Sequence, residues 1–234
     1  MVLERCCTSF EQALEAVENG AGRIELCVEL NTGGLTPPPE LVRRCSALPI
    51  LVNVLVRPRA GDFVFTEEET EIMARDIQMC RREGAAGVVI GALTPEGDVD
   101  MTVMKRLMSV AKDDAGQRDW IEQNKSGEKD DKAGDKIDER VRGGLSVTFH
   151  RAFDVCRNPF EALEDIIALG CDRILTSGQK DTALEGAELI AALVGKAGDR
   201  IIIMPGSGVT PANLDSLQRL TGAGEFHGTR LCAK

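Results

Sequence analysis

The chain has 234 residues, 43% of them hydrophobic, which is enough to bury a substantial core. A formal net charge of −10 and an aromatic content of only 3% argue against nucleic acid as a main partner, since they favour neither phosphate binding nor base stacking. No apolar run approaches the roughly 20 residues of a membrane span, and no signal-peptide pattern is present. We expect a cytoplasmic protein without a membrane partner, whose eight cysteines are reduced thiols.

A short phrase recurs along the chain: a glycine, one or two small or polar residues, and then a brief apolar run. It begins at Gly20, Gly84, Gly170 and Gly224, each time after a stretch with helical periodicity. The glycine is typical of the left-handed residue that ends a helix, and the apolar run is typical of a buried strand. With similar runs elsewhere, the predicted strands are 3–8, 23–28, 51–57, 87–92, 145–151, 173–177, 200–204 and 225–227.

Seven helical patterns alternate with these eight strands, which favours an α/β fold with a closed parallel (β/α)8 barrel of the TIM type over an open doubly wound sheet. We expect one domain over residues 1–234. Residues 113–143 are rich in Asp, Glu, Lys and Gly, and this composition predicts a flexible charged insertion away from the catalytic face. The sequence stops a few residues after the eighth strand, so we expect the final helix to be missing or truncated.

The expected loss of that helix has a consequence for the outside of the barrel. Strands 8 and 1 should turn apolar side chains such as Leu3 and Phe226 outward without their usual cover. Monomers rarely tolerate such a patch, so we expect a homo-oligomer formed through this side of the barrel. The alternatives are a marginal, truncated version of the fold and cover by the 113–143 segment.

Period-two alternation turns polar residues, rather than the usual Val, Ile or Leu, toward the barrel interior on several strands. Interior charges must be paired, so a salt-bridge network that only stabilises the barrel is one interpretation. Both histidines of the chain fall at strand ends, however, and a group that titrates near neutral pH is typical of a functional site. The candidate catalytic residues at the C-terminal mouth of the barrel are Glu4, Glu25, Arg57, His150 and His227.

A glycine turn follows the seventh strand and precedes a helix that we expect to begin with Thr210 as its N-cap and Pro211 at its first position. Backbone N–H groups at such a place can bind phosphate or carboxylate, although a plain connecting turn has the same composition. The candidate anion-binding residues are Arg57, Arg59, Ser177, Gly206, Ser207 and Gly208.

Seven segments resemble successive motifs of the CutC family, which is named for copper homeostasis. They are 4–9, 23–27, 33–37, 57–63, 147–154, 173–178 and 204–208, and the phrase Thr148-Phe-His-Arg-Ala-Phe-Asp154 is the most specific. The resemblance runs nearly end to end, apart from the charged insertion. It implies a cytoplasmic (β/α)8 barrel, often oligomeric, that binds Cu(I) through the cysteines matching Cys6 and Cys27.

The positions of these two cysteines agree with copper chemistry, because Cu(I) prefers soft thiolates and both residues have interior parity on adjacent predicted strands. Small buried hydrophobic residues are the alternative interpretation. Two functions therefore stay open. One is a copper-homeostasis protein with copper as its ligand; the other is a TIM-barrel lyase, isomerase or hydrolase acting on a small phosphorylated or carboxylated metabolite.

Overall fold

The computed structural model of the protein describes residues 1–113 and 144–232, so the insertion predicted at 113–143 lies outside the described residues apart from Asp113. Eight parallel strands pair in the order β7-β6-β5-β4-β3-β2-β1-β8, and β8 lies against β7, which nearly closes the barrel. The predicted TIM-type fold is confirmed. The strands are β1 (Val2–Cys7), β2 (Arg23–Leu26), β3 (Leu51–Leu55), β4 (Gly87–Ile90), β5 (Ser146–Phe149), β6 (Arg173–Thr176), β7 (Ile202–Pro205) and β8 (Glu225–Gly228).

The helices lie between the strands, and local sequence signals explain where several of them begin and end. Thr66 and Glu69 form a reciprocal capping box, and Asn158 caps a helix that has Pro159 at its first position. Gly170 ends the same helix at φ 79°, which glycine adopts without steric cost. The helices are α1 (Phe10–Glu18), α2 (Pro39–Ser46), α3 (Glu67–Arg82), α4 (Met101–Ala111), α5 (Pro159–Leu169), α6 (Ala187–Ala197) and α7 (Leu214–Thr221), with short 3-10 helices at Leu30–Thr32 and Arg151–Val155.

The start of α7 differs from the prediction that Thr210 caps it and Pro211 is its first residue. The helix begins at Leu214, and residues 210–213 form a turn. The Asn213 side chain accepts a hydrogen bond from the Thr210 N–H and donates one to the Gly208 carbonyl. These local side-chain bonds offer the backbone an alternative to the helix and delay its start.

Apolar side chains fill the layer between the strands and the helices, where Phe149, Phe153 and Phe226 are fully buried. The interior of the barrel instead combines polar side chains, as the alternation of the strands predicts, with a small apolar cluster of Cys6, Cys27, Leu55 and Val89. Among the described helices, none is both long and apolar enough to cross a bilayer.

The expectation that Phe226 would be exposed is wrong. No helix follows β8 in the described residues, which end at Cys232, yet Phe226 is fully buried and Leu3 is half-buried. Leu231 is also fully buried, in the same apolar cluster, because the chain turns back after Gly228. A second subunit is therefore not needed to cover Phe226.

We predict that Phe226→Ala lowers the free energy of unfolding by about 3–5 kcal/mol, because it leaves a cavity in a closed apolar cluster. Urea unfolding measures this. Leu220→Ala on α7 is the matched control: Leu220 is 57% exposed, so its truncation should change the stability by less than about 0.5 kcal/mol. Similar small effects for both variants would show that Phe226 is not enclosed.

Candidate functional site

A chain of buried ion pairs occupies the lower part of the barrel interior. Arg23 donates through Nε to Glu4 and through Nη2 to Glu225, the latter at 2.6 Å. Arg173 also donates to Glu225, at 2.8 Å, and Asn53 donates to Glu4 at 3.3 Å. Strand register explains the pairing, since Glu4 lies beside Arg23 on β2 and beside His227 on β8. We call Glu4, Arg23, Arg173 and Glu225 the lumen network.

His227 joins the lumen network to the layer above it. Its Nδ1 lies 2.9 Å from Glu4 Oε1, and its Nε2 lies 3.9 Å from Glu25 Oε1. Burial alone would lower the pKa of His227, but the charge of Glu25 and the hydrogen bond with Glu4 raise it to about 9. Burial also opposes ionisation of Glu4, yet the hydrogen bond from His227 and the charge of Arg23 lower its pKa to about 2. The Glu4–His227 pair is therefore ionic at neutral pH.

The negative charge of Glu25 is less well compensated by neighbouring groups than that of Glu4. Burial raises the pKa of Glu25 to about 7, although the charge of His227 opposes the rise. Its Oε2 is buried and has no hydrogen-bond partner within the described residues. The carboxyl of Glu25 is therefore a buried group with spare acceptor capacity.

The two candidate metal-binding cysteines meet directly above this layer. Cys6 Sγ and Cys27 Sγ lie 3.6 Å apart, and both residues are buried. Cys6 is aligned with Glu25 in the β1–β2 register, so a Glu25 carboxylate oxygen and the two sulfurs all lie within 4.8 Å of one another. The strands thus bring together two soft ligands and one hard ligand.

A cavity of about 470 Å³ opens at the C-terminal mouth of the barrel, and we call it the mouth cavity. Cys6, Glu25 and His227 contribute to its lining from the strands. The loops that follow β7 and β8 contribute residues 207–210 and 228–230. Other lining residues include Arg57, Phe63, His150 and Arg151.

His150 lies in the wall of the mouth cavity as a neutral imidazole. Burial and the charge of Arg57 lower the pKa of His150 to about 3. Its Nδ1 accepts a hydrogen bond from the Ala152 N–H at 3.2 Å, and its ring packs 4.9 Å from that of Phe63. Its buried Nε2 has no partner in the part of the chain that the structure describes.

The candidate anion-binding residues are not all at the mouth. Arg57 lines the cavity, although its terminal nitrogens donate to the backbone carbonyls of Thr32, Gly34 and Gly61. Ser207 and Gly208 also line the cavity. Gly206 lies just before them, where an added Cβ would be 2.5 Å from Leu175 Cδ1.

Arg59 and Ser177 have other partners and do not line the mouth cavity. Arg59 donates to Asp62 at 2.9 Å and to Glu69 at 2.5 Å. Ser177 donates its N–H to Asp154 at 2.9 Å, and its hydroxyl oxygen lies 2.5 Å from the Lys180 carbonyl oxygen. Both side chains stabilise the loops around the mouth.

Sequence reasoning missed several residues that shape the site. Asn53 and Arg173 belong to the interior, and the period-two pattern of β3 and β6 could have shown this. Asp154 accepts hydrogen bonds from Thr176 and Ser177 and so joins the loops after β5 and β6. Arg230 lines the mouth from a loop after β8, where no periodicity indicates its position.

Comparison with known proteins gives one consistent result. The sequence profile of the CutC family matches residues 1–116 and 122–232. A CutC family protein of Parabacteroides distasonis is 44% identical over 228 residues, which are 97% of this chain and 81% of the relative. One from Xylella fastidiosa is 46% identical over 228 residues, 97% of this chain and 74% of the relative.

Solved structures agree with the sequence relatives. The CutC protein of Streptococcus agalactiae, described as a candidate copper homeostasis protein, has a TM-score of 0.82 at 28% identity and covers 99% of both chains. An aldolase called QR15 has a TM-score of 0.60 at 16% identity and covers 98% of this chain and 89% of its own. The second likeness concerns the fold alone.

We predict that His227 is positively charged and His150 is neutral at pH 7. His227 should stay an imidazolium until the pH approaches about 9, and His150 should stay neutral down to about pH 3. Heteronuclear NMR of the imidazole rings measures both, because the chain contains only two histidines and His150→Phe assigns them. Two ordinary titrations near pH 6.5 would contradict the electrostatics described here.

Stability should follow the titration of His227. Its pKa is raised on folding, so the stability it contributes is full below about pH 6.5 and is lost as the pH rises toward about 9. Glu25, whose pKa is also raised, acts in the same direction between about pH 4.5 and 7. Urea unfolding should therefore show a more stable protein at pH 6 than at pH 8.5.

Proposed function

This chain belongs to the CutC family, and on that premise we propose that it takes part in copper homeostasis by binding Cu(I) between Cys6 and Cys27. The observation that supports the proposal is the 3.6 Å separation of the two sulfurs at the mouth of the barrel. Copper is the cargo in this proposal, and the barrel holds its ligands in place.

The separation of the sulfurs suits a shared ion. With metal–thiolate bonds of about 2.3 Å, the length known for zinc, one ion can bind two sulfur atoms that lie up to about 4.6 Å apart. The two thiols of this chain lie inside that limit without movement of the strands. Cu(I) is among the ions that soft sulfur ligands select, and burial keeps the pair away from competing solvent.

Binding of the ion must displace protons. The hydrogen bond with Cys27, burial and the nearby Glu25 carboxylate together raise the pKa of Cys6 far above its ordinary range. Since thiolates are the metal ligands, Cu(I) affinity should increase with pH. The charged His227, 3.9 Å from Glu25, offsets part of the negative charge that thiolates would add.

We predict that Cys6→Ser and Cys27→Ser each weaken Cu(I) binding at least about 100-fold, since loss of a ligand should cost more than loss of an outer-shell contact. Competition with a chromogenic Cu(I) chelator under reducing conditions measures the affinity. The same titration at pH 6 and pH 8 should show tighter binding at the higher pH.

Cys45→Ser and Cys80→Ser are the matched controls. Both cysteines are fully buried, but they lie on α2 and α3, in the layer between strands and helices. Their replacement should leave the Cu(I) affinity within about threefold of the wild type, well inside the spread of outer-shell effects. Equal losses in all four variants, or no loss in any, would contradict a site made by Cys6 and Cys27.

The second candidate function is an enzyme that acts on a small phosphorylated or carboxylated metabolite. It is favoured by the mouth cavity, which has the volume of a small-molecule site and lies where barrel enzymes carry their active sites. Glu25, whose pKa is raised to about 7, would then be the acid–base residue, the neutral His150 would donate a hydrogen bond to the substrate, and Arg57 would face the anion. Turnover of such a metabolite by the copper-free protein would support this function.

A further inference from the structure

Three buried polar atoms in the wall of the mouth cavity have no protein partner. They are Glu25 Oε2, His150 Nε2 and Arg57 Nε, and the structure gives none of them a hydrogen bond within the described residues. Each residue is at most 6% exposed. Because nearly all buried polar groups in native proteins are hydrogen-bonded, three unpaired atoms around one cavity indicate an occupant.

The hydrogen-bonding roles of these atoms follow from their other contacts. The Nδ1 of His150 accepts from the Ala152 N–H, so the neutral ring carries its proton on Nε2, which is a donor. The Nε of Arg57 is also a donor, and Glu25 Oε2 is an acceptor when the carboxyl is ionised. The residues that line the cavity thus carry two donors and one acceptor that have no partner in the described part of the chain.

Copper does not satisfy this arrangement. An N–H group that donates has no lone pair for a metal ion, and the guanidinium of Arg57 repels cations. Arg57, Arg151 and Arg230 all line the cavity, and Arg151 and Arg230 are exposed at its entrance. This wall therefore favours an anion that carries both oxygen acceptors and a hydroxyl donor.

We propose that the mouth cavity binds a small hydroxylated anion, a hydroxy acid or the phosphate ester of a polyol, with a ligand hydroxyl donating to Glu25. Ligand oxygens accept from His150 Nε2 and Arg57 Nε, and the anionic group faces the exposed arginines and the loop at 207–210. The cavity volume of about 470 Å³ is in the range of small-molecule sites. The inference deepens the second candidate function by naming its ligand class, and it does not depend on copper.

Isothermal titration of the copper-free, reduced protein tests this. The probes are glycerol 3-phosphate, glycerate, inorganic phosphate and glycerol. At least one of the first two should bind, and about tenfold more tightly than inorganic phosphate or glycerol, because only the hydroxylated anions place an anionic group at the exposed arginines and a separate hydroxyl at Glu25 at the same time. The preferred member of the pair then distinguishes a phosphate ester from a hydroxy acid.

Two variants and a control locate the site. His150→Phe should weaken binding of the preferred probe about tenfold, because it leaves a ligand group without its partner. Glu25→Gln should weaken it by a similar factor, because a neutral amide oxygen is a weaker acceptor for the ligand hydroxyl than a carboxylate. His150→Gln retains an N–H donor and should restore part of the affinity. Arg106→Gln, a change on α4 that removes ion pairs with α3 and lies outside the cavity wall, should bind as the wild type does.

The outcomes separate the proposals from one another. The inference is overturned if neither hydroxylated anion binds, if inorganic phosphate binds equally well, or if His150→Phe and Glu25→Gln bind like the wild type. If a hydroxylated anion binds but none of the tested metabolites is turned over, the enzyme function is contradicted and the binding-site inference stands. The Cu(I) titration contains none of these anions, so its result stands independently.

Discussion

The contact on which this barrel depends is the guanidinium of Arg23 held between the carboxylates of Glu4 and Glu225. All three side chains point into an interior that barrels usually fill with aliphatic residues. Burying charges is costly, and the cost is offset only when every charge has its partner. A slip of β2 by one residue would turn Arg23 to the outer face, so that Glu4 would keep only His227 and Asn53 and Glu225 would keep only Arg173 among the partners described above. The lumen network therefore fixes strand register as well as charge.

The layer above the lumen network contains Glu25, and the properties of this residue follow from the ion pairs below it. Glu4 is occupied by Arg23 and His227, so the charge of Glu25 is compensated only in part, by His227 at 3.9 Å and by the charge of Arg23. Burial then leaves Glu25 with a raised pKa and a free oxygen. The next layer contributes two thiols, which need no charged partner. The interior thus passes from fully paired ions, through one incompletely paired carboxyl, to neutral sulfur.

Much of this could be predicted from the sequence, because periodicity determines which side of a strand a residue faces. Glu4, Glu25 and His227 do meet in the interior. Periodicity does not determine the path of a loop, however. The guanidinium of Arg59 is held by Asp62 and Glu69, so the loop after β3 does not bring it to the mouth. Burial of Phe226 was missed for a similar reason, since a turn after the last strand leaves no repeating pattern.

The two proposed ligands, a Cu(I) ion and a hydroxylated anion, require different groups around the mouth cavity. Thiols offer little to a hydroxylated anion, and the N–H donors of His150 and Arg57 offer nothing to a metal ion. Of the two thiols, Cys6 on β1 lines the cavity and Cys27 on β2 lies beside it outside the lining, whereas the donors lie toward the loops after β3 and β5. Glu25 stands between the two sets of groups, close to both sulfurs and with one oxygen unpaired. Because of this position, the single buried carboxylate of Glu25 is close to both proposed ligands, the Cu(I) ion and the hydroxylated anion.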